Sequence, residues 1–378
     1  MTNLSERAEL AWQTIRKIPT KGIPTWATHT MEHSHIDRLA ESKPGEYVNT
    51  PEQIYLKAQN NAGCCIIDQY IPRNPLTMGS KGYESGSHSA TTGLIPVLDG
   101  ISIDSPEAVA EHLEKFNIPN TKKMIETFNE EATIKAIIDH EQSVQKEFGS
   151  NILKAPYNIV KFPKLYYSRY GYENYFMAYA LFPEVLEKHF AIDSDYAAMH
   201  NRAVSKAFDT GLFPAYDRLD NDMADSRGTL VDIKSLDKIW LPHFTRAIAP
   251  VANRGYTLIW HCDGNLMQML PRLLEAGLNG FQGFQYEYGM DYVNICKMKP
   301  KDGSDIYIKA GVSVTTTLPH GKPDDVKREL KWLVENGPKT GLTLGCSSSM
   351  APGVPWENVK MLIDGLKWYR ENGRCGAV

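Results

Sequence analysis

The sequence predicts an α/β chain folded as a (β/α)8 TIM barrel with an N-terminal helical extension. Two observations carry that prediction. A helix with 3.6-residue apolar spacing, a glycine stop and a short β-branched or aromatic run recur in that order, the alternation that builds a parallel sheet. The runs also number about eight, the count a barrel needs. An open doubly wound sheet is the structural alternative. No glycine-rich dinucleotide or phosphate-loop fingerprint follows any of the runs, which removes the usual signature of that class.

In chain order, "MTNLSERAELAWQTIRKIPTKG" reads as a short amphipathic helix, the N-terminal extension. "GIPTWATH", near residue 25, is the candidate for the eighth strand. Complete helix-then-strand units are "PEQIYLKAQNNAG" with "CCIIDQY" and "SLDKIWLPHFTRAIAPVANRG" with "YTLIWHC". Two more are "NLMQMLPRLLEAG" with "LNGFQGFQY" and "DDVKRELKWLVENGPKTG" with "LTLGC". "APYNIVKFP", "GLFPAYDRL" and "SDIYIKAGV" supply the remaining strands, and "SPEAVAEHLEKFNI" is a helix alone. A last helix, "PWENVKMLIDGLKWYR", has Pro355 at its start and Gly373 after it. No fixed-period repeat or low-complexity linker divides the 378 residues, so residues 1–378 are read as one domain.

Composition narrows the function classes. A net charge of −4 and the lack of any basic run exclude an electrostatic footprint for nucleic acid or a membrane surface. No run of 18 apolar residues and no leader-like start occur, so the expectation is a soluble cytoplasmic protein. Six cysteines are too few for a secreted disulfide framework, and reduced thiols are expected. Of these, Cys64, Cys65 and Cys296 are read as structural, and Cys375 as an exposed tail residue.

Barrel enzymes take their catalytic side chains from the carboxyl ends of strands. His261 and Asp263 follow "YTLIW", Glu287 follows "GFQGFQY" and Cys346 closes "LTLGC". Asp220 and Asp222 follow "GLFPAYDRL", and Asp68 and Tyr70 follow "CCII". One histidine, one carboxylate and Cys346 would make a three-ligand zinc site with an open position. His261 and Asp263 are two apart and share a face in extended backbone, whereas Cys262 points away. The competing readings are ordinary ones. A buried carboxylate such as Glu287 more often accepts hydrogen bonds, and Asp291 caps the helix after it. "HTMEHSH", with His29, His33 and His35, reads as a solvated loop, and "KLYYSRYGYENYFMAYALF" as packing over the barrel that would also suit an aromatic ligand.

From residue 213 onward the order of "DNDMADSRGTLVD", "WHCDGN", "GFQYEYGMDYVNICK", "IYIKAGVSVTTTLPHGKPDDVKREL" and "GCSSSMAPGVPWENVKMLIDGLKWY" resembles the uroporphyrinogen decarboxylase superfamily. That superfamily includes zinc-dependent corrinoid methyltransferases. The decarboxylases proper are similar to one another at an arginine-bearing "MRQAGRY" stretch. Here "TWATHTMEHSHIDRLAE" stands in that place with Arg38 alone. In the methyltransferases the metal is held by a pattern similar to His-x-Cys and a later Cys. His261 and Cys346 match its ends, and Asp263 stands in the middle position.

The resemblance implies a demethylating methyltransferase (O-demethylase type) that moves a methyl group from a small methylated donor to the Co(I) corrinoid of a cobalamin-binding partner protein. Among donors an aryl methyl ether is favoured. It implies Zn2+ held by His261, Asp263 or Glu287, and Cys346, with Asp222, Asp68 and Tyr70 acting on the substrate. Two alternatives stay open: a methylcorrinoid-to-thiol or tetrahydrofolate methyltransferase, and a metal-independent uroporphyrinogen-type decarboxylase. An oxygen ligand makes a harder Lewis acid than sulfur, which favours demethylation over thiolate activation. Family members often pair, so a homodimer is allowed, although no pattern in the sequence specifies its interface.

Overall fold

The computed structural model describes residues 4–79, 82–83, 95–283 and 285–374, so Cys375 lies outside the described residues. Seven parallel strands organise the chain. They are β1 Ile66–Ile67, β2 Leu153–Lys154, β3 Tyr216–Asp220, β4 Thr257–His261, β5 Gly280–Gln282, β6 Tyr307–Val312 and β7 Leu342–Cys346. The last five form one sheet in the order β7-β6-β5-β4-β3, and β1 pairs with β2.

Single parallel bridges join these two sheets. Thr25 bridges to Leu344 of β7, Trp26 to Ile66 of β1, and Tyr157 to Arg218 of β3. The fold is thus α/β with a parallel sheet, and its regular ladders stop short of a closed barrel. The shortfall is local. The strand expected over "GIPTWATH" shrinks to bridges, and the one expected over "APYNIVKFP" to the bridge at Tyr157, just after the two-residue β2. Pro24 and Pro156 each lack the N–H that a ladder needs at that point.

Most expected helices form where the spacing places them. The N-terminal helix is Glu6–Ile15, "PEQIYLKAQNNAG" gives Pro51–Asn61, and the final helix runs Trp356–Asn372 before Gly373 at φ +67°. "HTMEHSH" corrects its expectation of a solvated loop. His33–Leu39 is helical, and His29 and His35 are buried. Among the described residues no helix is long and apolar enough to cross a membrane.

Strand alternation divides the side chains between two surroundings. Outward, Trp260 of β4 packs on Trp240, Phe244 and Phe162 of the helical layer. Inward lies a polar floor centred on Asp68, just past β1. Its Oδ2 accepts from Lys309 Nζ at 2.6 Å, Tyr216 Oη at 2.9 Å and Arg218 Nε at 3.0 Å. Arg218 continues to Gln282 at 3.1 Å and Gln69 at 2.9 Å, and its guanidinium lies 4.6 Å above the Tyr157 ring. Lys309 sits 4.5 Å above the Trp26 ring. Burial pushes the Asp68 carboxyl upward, but Arg218 and Lys309 overcome it and hold the group far below the usual carboxylate range.

Removing one partner from such a group leaves a buried charge short of compensation. Lys309→Met is expected to lower unfolding stability by about 3 kcal/mol in urea titrations. An unchanged midpoint would mean that Arg218 alone satisfies Asp68.

Candidate functional site

β3 and β4 are neighbours in register, with Asp220 opposite His261. Two residues further along each chain stand Asp222 and Asp263, brought level by that register. One ligand atom from each of Asp222, His261 and Asp263 lies within 4.8 Å of the others. The Asp222 carboxylate is held at both oxygens. The backbone N–H of Asp263 donates to Oδ1 at 3.0 Å, and the Tyr167 hydroxyl donates to Oδ2 at 3.4 Å. Behind His261 the chain passes at Gly283, φ +94°, where a Cβ would meet Nδ1 at 2.8 Å and the Cys262 carbonyl oxygen at 2.6 Å. Only glycine fits there without displacing the imidazole. Cys262 turns away from the group: its buried sulfur accepts from the Met223 N–H at 3.3 Å.

These residues fit a divalent cation. His261 Nδ1 and Asp263 Oδ1 are buried and have no hydrogen-bond partner, which is unusual for native polar atoms. Burial and the nearby Asp263 carboxylate push the Asp222 carboxyl up, against the pull of His261. For neighbouring Asp220 burial also acts upward. There His261, Arg218 and the Tyr157 hydroxyl, 2.7 Å away, prevail and lower it. Two carboxylates and an imidazole make a hard-to-borderline donor set, suited to Zn2+ and to other divalent ions of that character.

Of the residues expected at the site, His261, Asp263 and Asp222 come together in one group that could hold a metal ion. Cys346 does not join this group. β7 is three strands from β4, roughly 14 Å along the sheet at ordinary strand spacing. Its buried thiol, pushed up to about 11 by burial, rests against the His29 backbone. Glu287 is exposed and takes the hydroxyls of Thr315 and Ser313. Asp68 belongs to the polar floor. The Tyr70 hydroxyl donates to Glu147 at 2.9 Å while its ring packs on Phe148. Asp291 does cap its helix, accepting from the Asn294 N–H.

Two contributors escaped the sequence reading. Tyr167, read as packing, touches Asp222 and stacks on Tyr172 and Phe176, with ring centroids 4.5 and 5.9 Å apart. His29 lies buried over the polar floor, its ring 5.4 Å from that of Trp26. The legible signal for Tyr167 was the tyrosine density of its segment, and for His29 the histidine cluster.

Burial, reinforced by Arg218, holds His29 at about 3, and burial holds His200 at about 4, both against an ordinary 6.5. Below pH 6.5 the unfolded chain takes up protons that the folded chain refuses. Stability is therefore complete above 6.5 and falls on acidification down to about 3. Denaturant midpoints measured from pH 7 to 4 should decline, and less steeply in His29→Gln. For the metal, the three-donor set predicts about one Zn2+ or Co2+ bound per chain. Chelator competition should show His261→Ala weakening it by more than about tenfold. The Co2+ protein should lack a sulfur-to-cobalt charge-transfer band, and such a band lost in Cys346→Ser would put the thiol in the set.

Residues 222–369, the stretch that holds Asp222, His261 and Asp263, match the family model of uroporphyrinogen decarboxylase (URO-D). No curated protein matches the chain. Among solved structures, a methyltransferase from Methanosarcina mazei is similar over 96% of this chain and 98% of that chain, with a TM-score of 0.57 and 15% identity. At that identity the likeness concerns the fold. The chain thus resembles the uroporphyrinogen decarboxylase family over residues 222–369 and shares its fold with that methyltransferase.

Proposed function

We propose that the chain is a corrinoid-dependent methyltransferase. It moves a methyl group from a small methylated donor, foremost an aryl methyl ether, to the Co(I) corrinoid of a cobalamin-binding partner protein in the cytoplasm. The observation that supports this best is the Asp222–His261–Asp263 group lying beside the stacked rings of Tyr167, Tyr172 and Phe176. The Methanosarcina mazei methyltransferase with this fold lends the reaction class. We take the strand set as a (β/α)8 barrel closed through the bridges at Thr25, Trp26 and Tyr157.

Asp222, His261 and Asp263 would hold the ion, with Zn2+ the ion proposed. A bound divalent cation supplies Lewis-acid stabilisation of the charge left on the departing heteroatom. The chain's own residues do the positioning. Tyr167 and the Asp263 N–H fix the Asp222 carboxylate, and Gly283 leaves room for the His261 ring. Tyr172 and Phe176, both half-buried, offer aromatic faces to the donor. Asp68 acts at a distance by fixing Arg218 and Lys309 beneath the mouth. Tyr70, bonded to Glu147, stays apart from the site, and Cys346 and Glu287 stay outside the donor set. That oxygen-and-nitrogen set supports the demethylating direction over activation of a thiol, which favours sulfur ligands. Arg38 stacks 5.3 Å from the Trp356 ring, so the arginine replacing the decarboxylase stretch is already occupied.

The test is direct. Zn2+-loaded protein, free cob(I)alamin and guaiacol should give the absorbance of methylcobalamin. His261→Ala should slow that reaction by at least about 100-fold. Equal rates for the two proteins, or no methylcobalamin with any methyl ether, would overturn the reading.

A further inference from the structure

Cys262 stands in the chain between two members of the candidate metal group, His261 and Asp263, yet its side chain leaves that group. It is buried, and both hydrogen-bonding roles of its thiol are filled. The sulfur accepts from the Met223 N–H at 3.3 Å, and the S–H donates to the Asp263 carbonyl at 3.0 Å. The direction of each bond is fixed by its partner, since a backbone N–H cannot accept and a carbonyl cannot donate.

Those two partners belong to the two loops that carry the carboxylates. Met223 directly follows Asp222, past the end of β3, and Asp263 lies past the end of β4. The loops also meet elsewhere along their length. The Asp263 N–H donates to the Asp222 carboxylate at 3.0 Å, and the Asn265 N–H donates to the Asp225 carbonyl at 2.7 Å. Gly264, at φ +87°, lies where a Cβ would meet that same carbonyl oxygen at 2.6 Å. Two carboxylates as close as those of Asp222 and Asp263 repel one another, so their loops need ties that do not depend on the carboxylates themselves. The thiol is such a tie: it touches both loops and is not a donor of the group.

We propose that Cys262 is a positioning residue whose thiol, bridging the Met223 N–H and the Asp263 carbonyl, sets the spacing at which Asp222 and Asp263 present their carboxylates to a divalent cation. This rests on the metal-holding reading of that group and is independent of methyl transfer. It gives the cysteine a part in metal binding without making its sulfur a ligand, as the hydrogen-bonding partners of a ligand residue do in metal sites generally. Alanine at this position removes both contacts and lets each loop move by itself. Serine keeps a donor and an acceptor in the same place.

The experiment uses the full-length chain, with Zn2+ and Co2+ alone as probes. Chelator competition should show both ions bound on the order of tenfold more weakly by Cys262→Ala than by the wild type, with most of the affinity restored in Cys262→Ser. The visible absorption of bound Co2+ follows the geometry of its donors, so it should shift in Cys262→Ala and hold in Cys262→Ser. In the metal-free protein, the infrared difference between wild type and Cys262→Ala should contain an S–H band at the lowered frequency of a hydrogen-bonded thiol. Equal affinity and an unshifted Co2+ spectrum in Cys262→Ala, with only its urea midpoint lowered, would reduce the residue to core packing and overturn the proposal. So would Cys262→Ser as weak as Cys262→Ala, or a difference band at the frequency of a free thiol. A wild-type chain that takes up neither ion would sink the metal reading and this inference together, so the wild-type measurement tells the two failures apart.

Discussion

A single carboxylate oxygen, Asp68 Oδ2, receives three buried donors from two other strands. The oxygen thereby ties three strands together. Lys309 comes from β6, Arg218 and Tyr216 from β3, and Asp68 from the end of β1. Two cations over one anion would leave excess positive charge, and Asp220, 3.7 Å from Arg218, balances it. The ionic floor is therefore close to neutral, and such a floor can lie beneath a reactive mouth without a strong field of its own. Buried ionic groups add little net stability over well-packed apolar ones. Their role here is to set which strands face each other and at what height.

From that floor the site is built by register. Asp220 and His261 are opposed, and two further residues on each strand bring Asp222 and Asp263 level. The group thus depends on adjacent strands rather than on loops reaching across the mouth. This is why Asp222, and not Cys346, stands beside His261. Cys346 is equally a strand-end residue, but its strand lies on the far side of the sheet, and its thiol faces His29.

The same contrast shows what the sequence could convey. The parallel α/β plan was legible because the repeating helices run to a nearby glycine and the strands are short apolar runs, both local features. His261 and Asp263 were legible because two-residue spacing fixes a shared face. Strand order was not, since it is settled by long-range pairing. Without it, Asp222 could not be set next to His261, nor Cys346 set apart. Pairing also hid the floor: Arg218 and Lys309 read as ordinary strand charges until Asp68 meets both. His29 was misread because a cluster of polar residues looks solvated, and its burial comes from Met350, Cys346 and Trp26, all distant or orthogonal to that local pattern.

The two prolines that interrupt the ladders divide the mouth mechanically. Five strands from β3 to β7 share continuous pairing, and Asp222, His261 and Asp263 are mounted on that stiff side. The opposite segment, around Pro24, is joined to β1 by one bridge, at Trp26, and to β7 and the chain just past it by two, at Thr25 and Thr30. Backbone amides near Trp26 and Ile66 should then exchange with solvent through small local openings, while those of β4 and β5 wait for global unfolding. Such a division works like a vice with one fixed jaw: Asp222, His261 and Asp263 keep their spacing while the opposite wall has more freedom to yield.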